Sequence, residues 1–326
     1  MSFSTSEIRN IDGCRLAETC RFLEKMGLKY DGGAEVTVNL YDDDENIVGT
    51  GSLCGNILKY IAVDDSLQGE GSAASIVSRL VSIAYMSGRR RLFLFTKAQN
   101  EFLFRSLGFF TLASTDEVVY MENSRNGLSS YLDSLEKGTG IQGAVVANCN
   151  PFTLGHRYLM ETAAAQVNTL HVFIVSEDAS DFSFRDRFEM VRRGTRDIMN
   201  LILHESGDYI ISHSTFPTYF IKSTQDAASI NAELDLTLFG KRIAPALGIT
   251  KRFVGSEPYC VVTNAYNEMM KKLLPTYGIE VIELPRKDGI SASMVRKAMR
   301  EHDDALLKSL LPTTSLEYIK ERGIEL

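Results

Sequence analysis

Long hydrophobic runs are what this sequence most plainly lacks. Its richest apolar stretch near the middle, Leu170 to Val175, is far short of the ~18 residues a membrane helix needs. At the amino end, Glu7, Arg9, Asp12 and Arg15 interrupt any stretch that could act as a signal peptide. The expectation is a cytoplasmic protein with no membrane partner. An excess of positive charge is also missing: 35 Lys and Arg stand against 42 Asp and Glu, for a net charge of −7. Neither half is basic, with 14 basic and 19 acidic residues up to Gly140 and 21 and 23 beyond it. That balance argues against a nucleic-acid partner. The five cysteines (Cys14, Cys20, Cys54, Cys149 and Cys260) form no CxxC pair and no Cys/His cluster at zinc spacing. No HExxH is present, and His171, His204, His213 and His302 stand alone in the sequence. Free thiols, no protein metal site and histidines of structural or surface type are therefore expected.

The disordered signature is missing too, since 44% of residues are hydrophobic and 24% charged. At ~150 residues per domain, 326 residues suggest about two. Composition shifts over Glu122 to Gly140, so the division expected is a front domain over 1–125, a linker over 126–140 and a second domain over 141–326. No internal repeat is visible.

In the front part, Glu35 to Tyr41 and Ile47 to Leu53 alternate around an acidic DDDEN turn, which predicts a hairpin. Asn56 to Val63 reads as a third strand. Ser72 to Ser87 reads as a helix with Ile76, Val77, Leu80, Val81 and Ala84 on one face. A strand over Arg91 to Thr96 and a short helix over Ala98 to Leu107 complete an α+β pattern. After the linker the grammar changes to alternation: strands at Gln142 to Asn148, Leu170 to Ser176, Asp208 to Ser212, Arg252 to Gly255 and Ile279 to Leu284. Helices separate them at His156 to Val167, Phe184 to Leu203, Ala227 to Leu247 and Val261 to Leu274. Such alternation predicts a doubly wound α/β domain, a parallel sheet covered on both faces, with ligands beyond the strands' carboxyl ends.

Two motifs fall at strand-to-helix junctions of that sheet. In NPFTLGH, Asn150 to His156, Gly155 permits close backbone approach and the helix amino terminus supplies free N–H groups, with His156 on its first turn. The bland alternative is an ordinary loop capped by Thr153. In GISASMVR, Gly289 to Arg296, the hydroxyls of Ser291 and Ser293 and the guanidinium of Arg296 suit phosphate oxygens. Each motif alone is weak. Together, about 140 residues apart on one predicted sheet, they carry much more weight.

TLGH with ISASMVR resembles the HxGH nucleotidyltransferase superfamily, which attacks the α-phosphate of a nucleoside triphosphate and releases pyrophosphate. The wider strings NPFTLGHRYL, FRDRFEMV, STFPTYFIKS, DLTLFGKRIAPALGI, FVGSEPYCVVTNAYN and ELPRKDGISASMVR together resemble the citrate lyase ligase family over essentially the whole chain. The resemblance implies ATP-dependent acetylation, by acetate, of the thiol of a CoA-derived group on the citrate lyase acyl carrier subunit, with release of AMP and pyrophosphate. It further implies Thr153 and His156 as catalytic contacts to the phosphates, and Asn150, Phe152, Gly155, Ser291, Ser293 and Arg296 as the ATP site. Mg2+ would ride on the phosphates. Thr153 stands where the motif often has His, which shifts the charge stabilisation toward His156.

The loop QGEGSA, Gln68 to Ala73, fits two patterns. Gly69, Gly71 and Ala74 satisfy a dinucleotide fingerprint, but Asp64 to Gln68 intervene after the strand and the next strand ends Phe95-Thr96-Lys97 with no acid. The loop is also similar to the CoA-pyrophosphate cradle of GCN5-related N-acetyltransferases, and FRSLGF, Phe104 to Phe109, resembles a later motif of that family. That resemblance implies an acetyltransferase-like front domain with Gln68, Gly69, Gly71 and Ala73 about a CoA-like group. A domain that keeps the fold and binds nothing is the alternative, and Tyr120 reads as a core tyrosine rather than a proton donor. Rival functions are a nucleotidyltransferase acting on a phosphorylated small molecule, and a CoA- and nucleotide-binding regulator without catalysis.

Overall fold

The structure, a computed structural model, describes residues 3–67, 71–176, 180–211, 216, 218–221, 224–258, 260–287 and 289–324. The chain forms two compact units, Met1–Ser130 with Phe216–Ile230, and Tyr131–Thr215 with Asn231–Leu326.

The first unit is built on strands β1 (Ser4–Arg9), β2 (Val36–Tyr41), β3 (Ile47–Cys54), β4 (Ile57–Val63), β5 (Phe93–Lys97), β6 (Phe110–Ser114) and β7 (Val118–Glu122). Their order is β1-β2-β3-β4-β5-β7-β6, antiparallel except where β4 lies beside β5. The expected hairpin is β2–β3. Its acidic turn is held by Asp42, whose carboxylate accepts the N–H groups of Asn46 at 2.8 Å and Asp44 at 3.0 Å. The helices are α1 (Gly13–Lys25), α2 (Ser72–Met86) and α3 (Glu101–Ser106), while α4 (Gly127–Ser134) lies within the stretch read as a linker. Helix α2 buries Ile76, Val77, Leu80, Ile83 and Ala84 against Val38, Leu40, Leu53, Leu58 and Leu94, each such side chain contributing about 1.5–3 kcal/mol of transfer free energy. The contact is close because β3 presents Gly51 there; a β-carbon would stand 2.6 Å from Ile76. Helix α1 covers the opposite face through Phe22 and Leu23, which cluster with Ile8, Tyr60 and Ala62. Tyr120 is buried and stacked 4.3 Å from Phe95, a core tyrosine.

In the second unit, β8 (Gln142–Ala147), β9 (Thr169–Ile174), β10 (Leu201–Glu205), β11 (Ile249–Gly255) and β12 (Glu280–Leu284) form a parallel sheet of order β10-β9-β8-β11-β12. Helices α5 (Leu154–Ala164), α6 (Phe184–Gly194), α7 (Thr224–Leu238, of which Asn231 onward belongs to this unit), α8 (Ala244–Leu247), α9 (Val261–Leu273), α10 (Ala292–Arg300), α11 (Asp304–Leu310) and α12 (Thr313–Arg322) follow, with a π-helical turn over Phe239–Ile243 joining α7 to α8. One face packs Val145, Val172, Ile174 and Phe253 on Met160, Met190, Val295 and Tyr318. On the other, Arg252 lies 4.5 Å from the ring of Phe239 in the π-turn. The doubly wound expectation holds, and none of the helices is long and apolar enough to cross a membrane among the described residues.

Two sequence expectations change. The helix read to Leu203 stops at Gly194, whose missing side chain admits the Phe152 ring to within 2.4 Å of the β-carbon position. The third strand is therefore β10; of the stretch read as a strand over Asp208 to Ser212, Gly207–Tyr209 makes a 3-10 turn and Ser212 lies outside the described residues. The sheet's order reverses at β8, which pairs with β9 along its length but with β11 only as far as Ala144 and Arg252. Beyond those residues the carboxyl halves of β8 and β11 separate, leaving a crevice at the switch point where ligands of open parallel sheets bind.

Candidate functional site

The loop leaving β8 carries Asn150 to His156 into that crevice, with a cis peptide bond before Pro151. Thr153 caps α5. Its hydroxyl accepts the His156 N–H at 3.3 Å, and the imidazole turns back so that Nδ1 accepts the Thr153 N–H at 3.1 Å, a reciprocal capping box. Burial, and then the nearby Arg286 guanidinium, push the His156 pKa down to about 4. The ring is thus neutral at pH 7, and because Nδ1 is an acceptor its proton sits on Nε2. His156 is a fixed N–H donor rather than a cation. Thr153 is 1% exposed with its hydroxyl held between the His156 N–H and, 3.0 Å away, Nδ1. Its role in this state is to set the imidazole. Phe152 is fully buried against Gly194, so only its backbone is available to a ligand.

The second motif enters from β12. Ser291 caps α10 by accepting the Met294 N–H at 3.3 Å, and its hydroxyl lies 2.9 Å from that of Ser293. A β-carbon on Gly155 would stand 3.3 Å from the Ile290 carbonyl oxygen, so the amino ends of α5 and α10 are neighbours. Arg296 ties them further: it donates to the Asn150 carbonyl at 2.6 Å and pairs with Asp181 at 3.0 Å. The Asn150 amide closes the ring, donating to Asp181 at 3.2 Å and accepting the Phe182 N–H at 3.1 Å. The structure therefore brings together all of the residues expected in the second unit. Two neighbouring helix amino termini, one bearing His156 and the other the paired serine hydroxyls, with the Arg296 guanidinium reaching from one to the loop before the other, offer donors suited to polyphosphate oxygens.

In the first unit, Gln68 and Gly69 lie outside the described residues. Gly71 opens α2 in a left-handed conformation, φ 79°, with open space where a β-carbon would be, and Ala73 lies in the helix's first turn.

Sequence reading missed several site residues. Arg187 is fully buried and donates to the Asn148 carbonyl (2.7 Å) and side chain (2.6 Å), the Val175 carbonyl (2.9 Å) and the Phe182 carbonyl (3.1 Å). It clamps the ends of β8 and β9 to the segment that bears Asp181. Its signal was an arginine one helical turn from Phe184, inside an apolar stripe. Asp181 had none, because its partner Arg296 is over a hundred residues away. Arg286 pairs with Glu257 at 2.5 Å behind His156. His171 and His204 are not isolated either: they are buried, 2.9 Å apart, with the far nitrogen of His171 on Gln142 at 2.8 Å, and burial lowers both pKa values to about 4. They fit their expected structural role. Among the described residues no three His, Cys, Asp or Glu side chains gather as a metal site. A separate cavity of about 580 Å3 runs along α6, lined by Phe184, Phe188, Arg185, Arg193, Tyr318 and Arg322, and includes neither motif.

A family model described as the citrate lyase ligase C-terminal domain matches residues 142–319. The [citrate [pro-3S]-lyase] ligase of Haemophilus influenzae is 45% identical over 316 residues, covering 93% of this chain and 94% of its own. That of Escherichia coli is 41% identical over 329 residues, covering 97% and 93%. Among solved structures, Escherichia coli ElaA aligns with 37% of this chain and 99% of its own, at 12% identity and a TM-score of 0.34.

Proposed function

Since this chain belongs to the citrate lyase ligase family and is an acid-thiol ligase, we propose that its second unit joins acetate to AMP and that the acetyl group then passes to the thiol of a CoA-derived group on the citrate lyase acyl carrier. The observation that carries this reading is the meeting of α5 and α10 at the crevice between β8 and β11, tied by Arg296 across Asn150 and Asp181.

Acetate is ionised at pH 7 and needs no protein base. An acetate oxygen attacks the α-phosphorus of ATP, the bond to the bridging oxygen breaks, and pyrophosphate leaves. The protein's contribution is alignment and stabilisation of charge that grows on the phosphate oxygens. The N–H groups opening α5 and the Nε2–H of His156 serve the α-phosphate. Ser291, Ser293 and Arg296 hold the departing phosphates, a task that draws Arg296 partly away from Asp181. Mg2+ would be carried by the phosphates and would neutralise their charge; the described residues offer no protein cage for it. In the second half, the thiolate attacks the acetyl carbonyl, AMP leaves with the electron pair, and the thiol proton goes to solvent. The loop that opens α2 at Gly71 is the proposed cradle for the CoA-like arm, its left-handed backbone allowing close approach to a phosphate.

Pyrophosphate–ATP exchange with a panel of small carboxylates tests the reading. Exchange that requires acetate supports it. Exchange that requires a phosphorylated acceptor instead would assign the site to a plain nucleotidyltransferase, and ATP binding with no exchange under any acceptor would leave a regulator.

A further inference from the structure

The sheet of the second unit carries a buried cation whose hydrogen bonds are incomplete. Helices α5 and α10 pack on the face of β11 that bears Phe253. Arg252, the residue before it, points to the opposite face, where its guanidinium lies on the Phe239 ring of the π-helical turn. Arg252 is only 3% exposed, yet among the described residues its Nε and Nη1 have no hydrogen-bond partner. A guanidinium keeps its charge in such a place, and a buried charge left without acceptors is costly.

The surrounding side chains do not meet that need. Asp235 of α7 attracts the guanidinium from a distance. Both of its oxygens are engaged, one by the Ile211 N–H at 2.7 Å and the other by the Tyr266 hydroxyl at 2.5 Å. Across the ladder in β8 the partner of Arg252 is Ala144, which offers only a methyl group. Next in that row is His171, whose two ring nitrogens are taken by Gln142 and His204. One turn before Asp235 on α7, Asn231 is buried and its Oδ1 is likewise unpartnered. Its amide can turn over to present an N–H instead.

A small carboxylate fits these groups. Nε and Nη1 lie on different forked edges of the guanidinium, and either edge matches the two oxygens of a carboxylate. The ligand's charge balances the cation directly, while Ala144 and the Phe239 ring offer apolar surface to a methyl group. Arg252 and Ala144 are also the last laddered pair before β8 and β11 part, so a ligand held here lies at the floor of the crevice.

We propose that Arg252 receives the carboxylate of the small acid substrate between β11 and the α7 side of the sheet, and presents it to the α-phosphate from the face opposite α5 and α10. Arg252 forms no covalent bond and moves no proton in this role. The inference rests on the acetate-activating reading and adds the residue that selects its acid.

The test uses the full-length protein and two readouts. In pyrophosphate–ATP exchange, Arg252→Met should raise the acetate concentration for half-maximal rate by ~10-fold or more, with the ATP requirement within ~2-fold of the unaltered chain. Met fills the space without the desolvation cost of a buried charge, so this variant should melt no lower than the unaltered protein when acetate is absent. Arg252→Lys keeps the charge but loses the fork and should raise the acetate requirement by ~5-fold. An unchanged acetate requirement in either folded variant overturns the proposal and leaves Arg252 a core residue satisfied by water. The second readout needs no ATP. In the unaltered protein, ~100 mM sodium acetate should raise the melting temperature by ~2 °C or more over the same concentration of chloride, because a ligand of the native state stabilises it. No rise overturns the proposal even where neither variant folds, and an equal rise in Arg252→Met places acetate elsewhere and overturns it too. Exchange that needs no acetate would count against the ligase reading alone, since the melting comparison decides by itself whether Arg252 holds a carboxylate.

Discussion

A β-carbon on Gly155 would stand 3.3 Å from the carbonyl oxygen of Ile290, which sets how closely the amino ends of α5 and α10 can approach. The obstacle is backbone and cannot swing aside. Gly155→Ala should therefore push the two helix ends apart by a few tenths of an ångström. The expected outcome is a fold that loses no more than ~1 kcal/mol in urea unfolding but an exchange rate down ~10-fold or more, because misplaced donors no longer match the phosphates.

Arg296 donates to a carbonyl and pairs with a carboxylate at once, a geometry that an ammonium on a flexible stem does not reproduce. Arg296→Lys should raise the ATP concentration needed for half-maximal exchange by ~10-fold while the acetate requirement stays close to that of the unaltered protein. Equal shifts in both would place Arg296 outside the phosphate site.

His156 should behave as a neutral donor across the working range. Its pKa is depressed to about 4, chiefly by burial. The exchange rate should show no inflection near pH 6.5 from this residue and should fall only as pH approaches 4 and the ring charges. His156→Ala should lower exchange by ~10²- to 10³-fold, the scale of one lost oxyanion donor. The same depression acts on stability. The unfolded state binds protons at His156, His171 and His204 below about pH 6.5, whereas the folded state resists them down to about pH 4. Resistance to urea should accordingly decline between those two values, and His171→Gln should flatten part of the decline.

Arg187 offers a test of architecture rather than chemistry. Arg187→Met leaves the Asn148, Val175 and Phe182 carbonyls without their donor in a buried place. At ~1–3 kcal/mol for each unsatisfied group, the unfolding free energy should drop by about 3 kcal/mol or more. A smaller loss would mean that the loop re-forms its bonds with water.

The second unit was readable because its apolar strands and amphipathic helices alternate, and because both phosphate motifs are local: Thr153 caps the helix that bears His156, and Ser291 the helix that bears Arg296. What stayed hidden depends on distant partners. The segment from Arg192 to Glu205 carries enough helical periodicity to hide β10, whose identity is settled by pairing with β9. In the front unit β1, α1, β6 and β7 carried no pattern strong enough to be read, and each is held by neighbours across the sheet or by the core. Asp181 looks like an ordinary surface charge until the chain folds, and the apolar stripe around Arg187 does not reveal which carbonyls it meets. Tyr219 and Phe216 are the extreme case, lying some 120 residues from the Phe95 they contact, with Tyr219 also against the Tyr60 ring.

That last arrangement bears on how the protein is made. The first compact unit takes in Phe216–Ile230, yet its main stretch ends at Ser130. A ribosome adding ~5–20 residues per second needs about 4–17 s to travel from one to the other. Throughout that interval the Tyr60 and Phe95 rings wait without their cover, on a sheet whose other strands are already synthesised. The front body is begun first and finished late, and a slow stretch of translation after residue 130 would lengthen the time that an open aromatic surface is exposed to other nascent chains.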